Sequence, residues 1–416
     1  MSGKAILIVV IGFTLTLLAV GQKFGSLSNR AVDNYVSYQS ETLAHNIAIS
    51  GANIAANYIY MNPTWDDGFD GIPYQGGYLD VDVEVVDADF NYREITARGI
   101  YFQDTSEIQL RIAPSNFSEY AYYSTYEKAS STSTGTIWWT GKDTIWGPFH
   151  TQGKLSCAFH PSFLGKRTSH KGAIEYKTNK KTDSPVITGL YSPGKNLEIP
   201  TQAVENLEAA ADDDGLKFKD HDTLYLVFDR DTLRYKYNYS NKYTALYLPS
   251  EAHNGLIYAK DMVVRLKGVV KGKYTLGCSS STTSTGKGTI WLDDNIVYDT
   301  NPLTDPESTD LFGIIAENYV WITENVPNKT SINIQASVFS QKLGFGAYNY
   351  DKRPVSGNIN LLGGIQQNYR QPVGTFDGNT INHGFTKQYR YDWRLGFMSP
   401  PFYPGTGGFR IVSWFE

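Results

Sequence analysis

Between Ala5 and Val20 the chain runs AILIVVIGFTLTLLAV without a charged residue, and Lys4 and Lys23 flank it. A helix that is apolar on every side must be buried in lipid or in protein, so this run restricts the fold before any other feature does. It is slightly short for a hydrocarbon core that takes about 20 residues. Tilt, or snorkelling of Lys4 and Lys23 to the two interfaces, absorbs that difference. A removable secretory leader stays open as an alternative, although Val20-Gly21-Gln22-Lys23-Phe24 makes a weak small-residue cleavage site.

The helical pattern continues past this run. Leu43, Ile47, Gly51 and Ile54 recur three or four apart, as do Ala44, Ala48, Ala52 and Ala56, so one broad face is small and apolar. Asn29, Arg30, Asp33, Asn34, Ser40 and Glu41 supply the polar side. Small side chains permit close approach of a second backbone. That makes Ala44, Ile47, Ala48, Gly51, Ala52 and Ala55 candidates for contact between stalks, with packing against the chain's own domain as the alternative. One helix from Ala5 to Tyr60 would reach about 84 Å at 1.5 Å per residue, which is a stalk.

Met1-Ser2-Gly3, then Lys4, the apolar run, an amphipathic half-helix and a β-rich remainder are arranged as in the type IV pilin-like family, which the first sixty or so residues resemble. The resemblance implies leader cleavage after Gly3, a membrane-anchored precursor, and Ile8, Ile11, Phe13, Leu15, Leu17 and Leu18 in a filament core. It further implies a homo-oligomeric helical filament at the cell surface and handling by inner-membrane pilus assembly machinery. Ile8 stands where the family usually carries a glutamate that pairs with a neighbour's terminal amine, and a second pilin-like string, Gly12-Phe13-Thr14-Leu15, lies inside the run. Both departures fit a divergent or minor subunit.

With 30 Tyr, 20 Phe, 8 Trp and 38 Gly but only 19% charged residues, the composition predicts many short strands with glycine turns. A net charge of −5 argues against a nucleic-acid partner. The expected fold is α+β: an N-terminal helix over 1–62, an antiparallel β meander over 63–129, and a β-rich head over 130–416. Tyr78–Val86 alternates apolar with acidic residues, and Glu94–Phe102 and Glu107–Ala113 alternate again, with a turn over Asp87–Tyr92. In the head, GLIYAKDMVVRLKGVVKGKYTL has the texture of successive rungs, which favours an irregular β-helix or solenoid over a β-sandwich. No fixed repeat period supports a regular array. A short helix near 201–213, capped by Thr201 after Pro200, interrupts the strands.

Catalytic signals are sparse. His150, His160 and His170 fall ten apart, not at the spacing that puts two ligands on one helix face. Asp212-Asp213-Asp214, Asp220 and Asp222 around His221, and Asp229-Arg230-Asp231 all fall in predicted loops, where aspartate serves turns, although paired carboxylates can also cleave glycosidic bonds. The run Asn301–Asp310 offers hard oxygen ligands for Ca²⁺ without the pattern of an EF-hand. Cys157 and Cys278 form one disulfide or remain two buried thiols. No enzyme and no resident cofactor is expected. Gly147-Pro148-Phe149-His150-Thr151-Gln152-Gly153 resembles a string in uncharacterised heads of pilin-like surface proteins, and Gly363-Gly364-Ile365-Gln366-Gln367-Asn368-Tyr369-Arg370 is similar to their closing rungs. The aromatic C-terminus, from Tyr389 to Phe415, reads as a solenoid cap, a subunit contact or a sugar platform. Sequons stand at Asn116, Asn238 and Asn328. A membrane-anchored adhesin or carbohydrate-active β-helical protein that never polymerises is the competing reading.

Overall fold

The stretch up to Asn62 contains no proline, so nothing interrupts the i to i−4 hydrogen bonds, and α1 (Gly3–Met61) is one unbroken helix. Pro63 then blocks its continuation. In the computed structural model, which describes residues 3–87, 92–194, 196–238, 240–281 and 286–416, the remainder of the chain is mainly strand. Two compact units result: Met1–Pro114 with Gly408–Glu416, and Ser115–Gly407.

In the first unit, β1 (Phe69–Tyr74), β2 (Gly77–Asp87), β3 (Tyr92–Tyr101) and β4 (Asp104–Asn116) lie side by side, and the terminal strand Gly405–Phe415 adds a fifth beside β4. The alternation turns Leu79, Val81, Ile95, Ala97, Ile108, Leu110 and Ile112 to one face, where Ile47, Ala48, Ala52, Ala55 and Ile59 of α1 cover them. Full burial of Ile47 and Ile59 stabilises by about 1.5–3 kcal/mol each. Two glycines set the approach distance: a Cβ on Gly51 would run into Leu79, and one on Gly99 would run into the backbone of Ala44 and Ala48. On the outer face Arg98 joins Asp82 and Glu107 across three strands at 2.9 and 2.8 Å. The turn expected over 87–92 lies largely outside the described residues.

These contacts correct the expected boundaries. Helix and meander are one unit, because the small-residue face of α1 needs the sheet to cover it. Residues 115–129 belong to the second unit, to which they contribute the strand Tyr122–Tyr126. Of the terminal aromatics, Phe409 and Trp414 pack on the core of the first unit and so do not cap the head.

The second unit consists of parallel ladders. One passes through Leu216–Phe218, Leu256–Ala259, Lys273–Cys278, Leu311–Ala316 and the later parts of Ile332–Ser340 and Val355–Tyr369. It then continues through Tyr122–Tyr126, Phe149–Thr151, Arg167–His170 and Leu190–Pro193. A second ladder passes through Thr223–Arg230, Val263–Val270, Thr289–Tyr298 and the earlier parts of Ile332–Ser340 and Val355–Tyr369. Thr380–Arg390, Thr144–Trp146, Ser162–Phe163 and Val186–Ile187 complete it. Antiparallel pairing is confined to side hairpins, such as Thr223–Arg230 with Thr232–Tyr237. The chain thus enters at Tyr122–Tyr126, in mid-stack, builds outward to Leu190–Pro193, and resumes at the far end with Leu216–Phe218. From there it works back to meet its own beginning.

The short helix begins later than expected. Residues 201–204 form a turn and the helix spans Glu205–Asp214. Val204 at its N-cap has no side-chain cap of its own, and the Gln341 side chain instead accepts a hydrogen bond from the Val204 amide at 2.8 Å.

Candidate functional site

α1 divides at Ser40. Every described residue before it is exposed, including Ile8 at 70%, Ile11 at 51%, Phe13 at 67% and Leu15 at 60%, with Leu17 and Leu18 alike. The most apolar window of the helix has a mean hydropathy of 2.3 and none of it is buried by the rest of the chain. Its only hydroxyls in the run, Thr14 and Thr16, donate to the carbonyls of Val10 and Gly12 at 2.8 Å, which removes the two donors that a hydrocarbon environment would penalise. Gly3 opens the helix, while Met1 and Ser2 lie outside the described residues.

Beyond Ser40 the position is reversed. Ala44, Ile47, Ala48, Gly51, Ala52 and Ala55 are buried in α1, and the strands they meet are β2 and β3 of the same chain. The expectation that this face joins neighbouring stalks is therefore corrected: the sheet already occupies it. The spacing in the sequence was right about closeness and silent about the partner.

The two cysteines do not pair. Both thiols are free and buried, Cys157 Sγ lying 3.7 Å from the Leu155 carbonyl and Cys278 Sγ 3.2 Å from that of Met262. Burial pushes the Cys157 thiol up to about 12, and the Cys278 thiol upward too. The histidines likewise serve separate local bonds: His150 Nδ1 to Ser169 Oγ at 2.7 Å, His170 Nε2 to the Tyr191 hydroxyl at 2.6 Å, and His160 Nδ1 to the Ser184 carbonyl at 2.8 Å. In the acidic run, Asp310 accepts from the amides of Gly272 and Thr300 at 2.7 and 2.9 Å, and Asp305 from that of Glu307 at 3.1 Å. Among the described residues no three His, Cys, Asp or Glu side chains converge as metal ligands would. Asp229 pairs with Arg234 at 2.9 Å beside the hairpin tip, and His221 stacks on Tyr237. Asn328 is buried, its amide donating to Leu292 and Thr323 carbonyls at 2.9 and 3.2 Å, so this sequon is no glycan acceptor in the folded chain.

What the sequence did not single out is a buried charged seam where the stack closes. Arg370 Nη1 reaches Glu127 at 2.6 Å and the Ile137 carbonyl at 2.9 Å, Nη2 donates to Trp138 at 3.1 Å, and the guanidinium lies 3.8 Å from the centre of the Trp139 ring. Nearby, Lys387 Nζ contacts Asp143 at 2.6 Å, with both side chains almost wholly buried. Burial pulls Lys387 below the usual ammonium range, with Asp143 opposing. Each pair joins an early segment to a late one. The two strings that resemble pilin-like heads lie here as well, on either side of Tyr122–Tyr126: Phe149 and Ile365 both pair with Tyr122.

No protein-family model matches the chain, and no curated protein matches it. Among solved structures it is similar to the competence-associated pilin ComZ from Thermus thermophilus, at 10% identity and a TM-score of 0.36, over 90% of this chain and 97% of that one. A likeness that loose decides neither fold nor function.

Proposed function

We propose that the chain is a divergent or minor subunit of a type IV pilus-like extracellular filament. The run Ala5–Val20 spans the membrane before assembly, and residues 3–39 pack into the filament core afterwards. The β-rich head faces outward, and its second unit is solenoidal. Inner-membrane assembly machinery and further copies of the chain are the partners, and cleavage after Gly3 releases the mature N-terminus. No catalytic role is assigned: two charge pairs where the stack closes, Arg370 with Glu127 and Lys387 with Asp143, are shut away from solvent.

The observation that carries this reading is the uncovered apolar half of α1. Each Leu, Ile or Phe left in water forgoes about 1.5–3 kcal/mol of burial. Over the run this amounts to tens of kcal/mol, so lipid or protein must cover it. A filament core supplies protein on all sides of the helix, and a bilayer supplies the earlier cover.

The second reading, an anchored protein that never polymerises, gains from the small-residue face being occupied by the chain's own sheet. The two diverge in a cross-linking experiment. With both native thiols buried, Leu15→Cys places the sole accessible thiol in the apolar half. A filament gives oxidised multimers from sheared surface material, whereas a lone anchor stays monomeric in the membrane fraction and sinks the polymer reading.

A further inference from the structure

A groove of about 1710 Å³ runs across the parallel strands of the second unit. Its floor belongs to the second ladder, from Thr289–Tyr298 through Ile332–Ser340, Val355–Tyr369, Thr380–Arg390 and Thr144–Trp146 to Ser162–Phe163. Crossing these strands at about 4.8 Å per step gives the groove a length of about 24 Å along the stack. It is long and open, the shape of a site for an extended polymer.

The lining repeats with the rungs. Asn333, Asn360 and Gln388 lie in register on successive strands, the first two joined by an amide hydrogen bond of 3.1 Å. The parallel ladder thus presents one amide side chain, with both donor and acceptor capacity, on each of these three strands. That step is comparable to the length of one pyranose unit. In the adjoining row Arg390 registers with Trp146 on the next strand.

Aromatic rings stand at this wall. Trp146 is 39% exposed and Trp393 51% exposed. Trp393 opens a short turn whose backbone is pinned by its neighbour Arg394, buried and bound to Asp392 at 2.6 Å and to the Ser308 carbonyl at 2.7 Å, and its ring meets that of Phe397 edge-on with centroids 6.2 Å apart. A ring fixed in advance gives up little freedom on meeting a ligand and offers a flat apolar face.

Charge selects the ligand further. Lys166, Arg167 and Arg390 line the groove against one acidic residue, Glu119, in a chain whose net charge is −5. None of the three cations forms an ion pair among the described residues. A single-stranded nucleic acid carries a charge on every nucleotide and calls for a groove whose cations track the backbone. The three cations stand together at the end of the groove formed by Thr380–Arg390, Thr144–Trp146 and the segment after Ser162–Phe163, and do not track a backbone along it, but they suit a polymer with carboxylates interspersed among hydroxyls.

We infer that this groove is a binding site for an extended acidic polysaccharide of the uronate class, its sugar faces lying on Trp146 and Trp393, its hydroxyls on the amide ladder and its carboxylates on Arg390, Lys166 and Arg167. The inference is independent of polymerisation. A subunit of a filament and a lone anchored protein carry the same groove.

The test uses the full chain in detergent micelles, titrated by calorimetry and tryptophan fluorescence with polygalacturonate oligomers, neutral dextran oligomers and a thymidine oligonucleotide. Polygalacturonate binds, dextran and oligonucleotide bind far more weakly, and Arg390→Gln and Trp393→Ala each lower the affinity about tenfold or more at an unchanged melting temperature. Phe102→Ala, which removes an aromatic side chain that is 83% exposed in the first unit, leaves the affinity unaltered. Absence of polygalacturonate binding, equal binding of dextran or of the oligonucleotide, or affinity indifferent to both groove substitutions overturns the proposal.

Discussion

Residues 3–39 and 40–61 are two parts of one helix, and they distribute side-chain size in opposite ways. The first part exposes its large apolar residues, Ile8, Phe13 and Leu18 among them, whereas the second buries its smallest, Ala44, Ala48 and Gly51. Size follows the partner. A curved, adaptable surface such as lipid, or a bundle of other helices, accepts bulky side chains, while a sheet laid flat against the helix demands small ones over most of the contact, Ile47 and Ile59 excepted. Hydrophobicity alone does not separate the two parts; what distinguishes them is whether the chain itself provides the cover.

The sharpest way to break this comparison is a charge in each part's proper environment. Ile11→Asp should leave the melting of both units unchanged, because nothing outside α1 buries Ile11 in the folded chain. At the centre of a bilayer the new carboxylate costs about 2.5–3.5 kcal/mol on insertion scales, so the equilibrium constant for membrane insertion should fall about a hundredfold and the membrane-integrated fraction should drop, as fractionation would measure. A lowered melting temperature instead would mean that the first part has a partner within the chain.

Gly51→Leu tests the second part. The new side chain has no room beside Leu79 and Val81, and overpacking of this kind costs about 1–3 kcal/mol. Calorimetry on the full chain in detergent should show the first unit melting earlier. Membrane integration should be unaffected. Normal melting combined with lost filaments would restore the stalk-to-stalk role of this face.

Alkaline pH should unmix the two melting transitions. In the second unit, burial lifts the Cys157 thiol from 9.0 to about 12 and the Tyr258 hydroxyl from 10.0 to about 12. Above its ordinary value each group is deprotonated when unfolded but still protonated when folded, so the unfolded state binds fewer protons and stability falls as pH rises. The stabilisation is complete below about pH 8.5 and is lost towards pH 12, at up to about 1.4 kcal/mol per pH unit for each group. Cys157→Val should flatten that slope by one proton, and an unchanged slope would show that the thiol is not buried.

The smallest effect is expected from Ile47→Val, which removes one fully buried methylene and should cost about 0.5–1.5 kcal/mol in the first unit. Combined with Ile11→Asp, it should add without coupling.

The sequence made some of this legible. The uncharged run, the alternation in β2 to β4, and GLIYAKDMVVRLKGVVKGKYTL, which folds as Leu256–Ala259, Val263–Val270 and Lys273–Cys278, are local periodicities and can be read locally. Partners far along the chain cannot. Periodicity shows that Gly51 needs a close neighbour but not that the neighbour is Leu79, and nothing near Arg370 points to Glu127. The groove escaped notice for the same reason: Asn333, Asn360 and Gln388 look unremarkable until parallel pairing stacks them. The aromatic tail was recognised as a cluster, yet it splits between destinations, Tyr389 and Tyr403 in cores of the second unit and Trp414 on the first.

Entry of the chain in mid-stack imposes an order on folding. Tyr122–Tyr126 and Thr144–Trp146 can pair early with the strands that follow them, but their other edges wait for Val355–Tyr369 and Thr380–Arg390. Until those residues emerge during synthesis, two half-stacks exist with open edges, a hazard for pairing with other chains, and closing so distant a contact is slow. Pulse-labelling hydrogen exchange should therefore find Tyr122–Tyr126 protected late, together with Ile365, even though it is among the first strands of the head to leave the ribosome. Protection of that strand before the Val355–Tyr369 segment orders would show that the early half-stack is stable alone. If the order holds, time spent in an unclosed state, rather than the strength of any one contact, governs how much of this protein ends correctly folded.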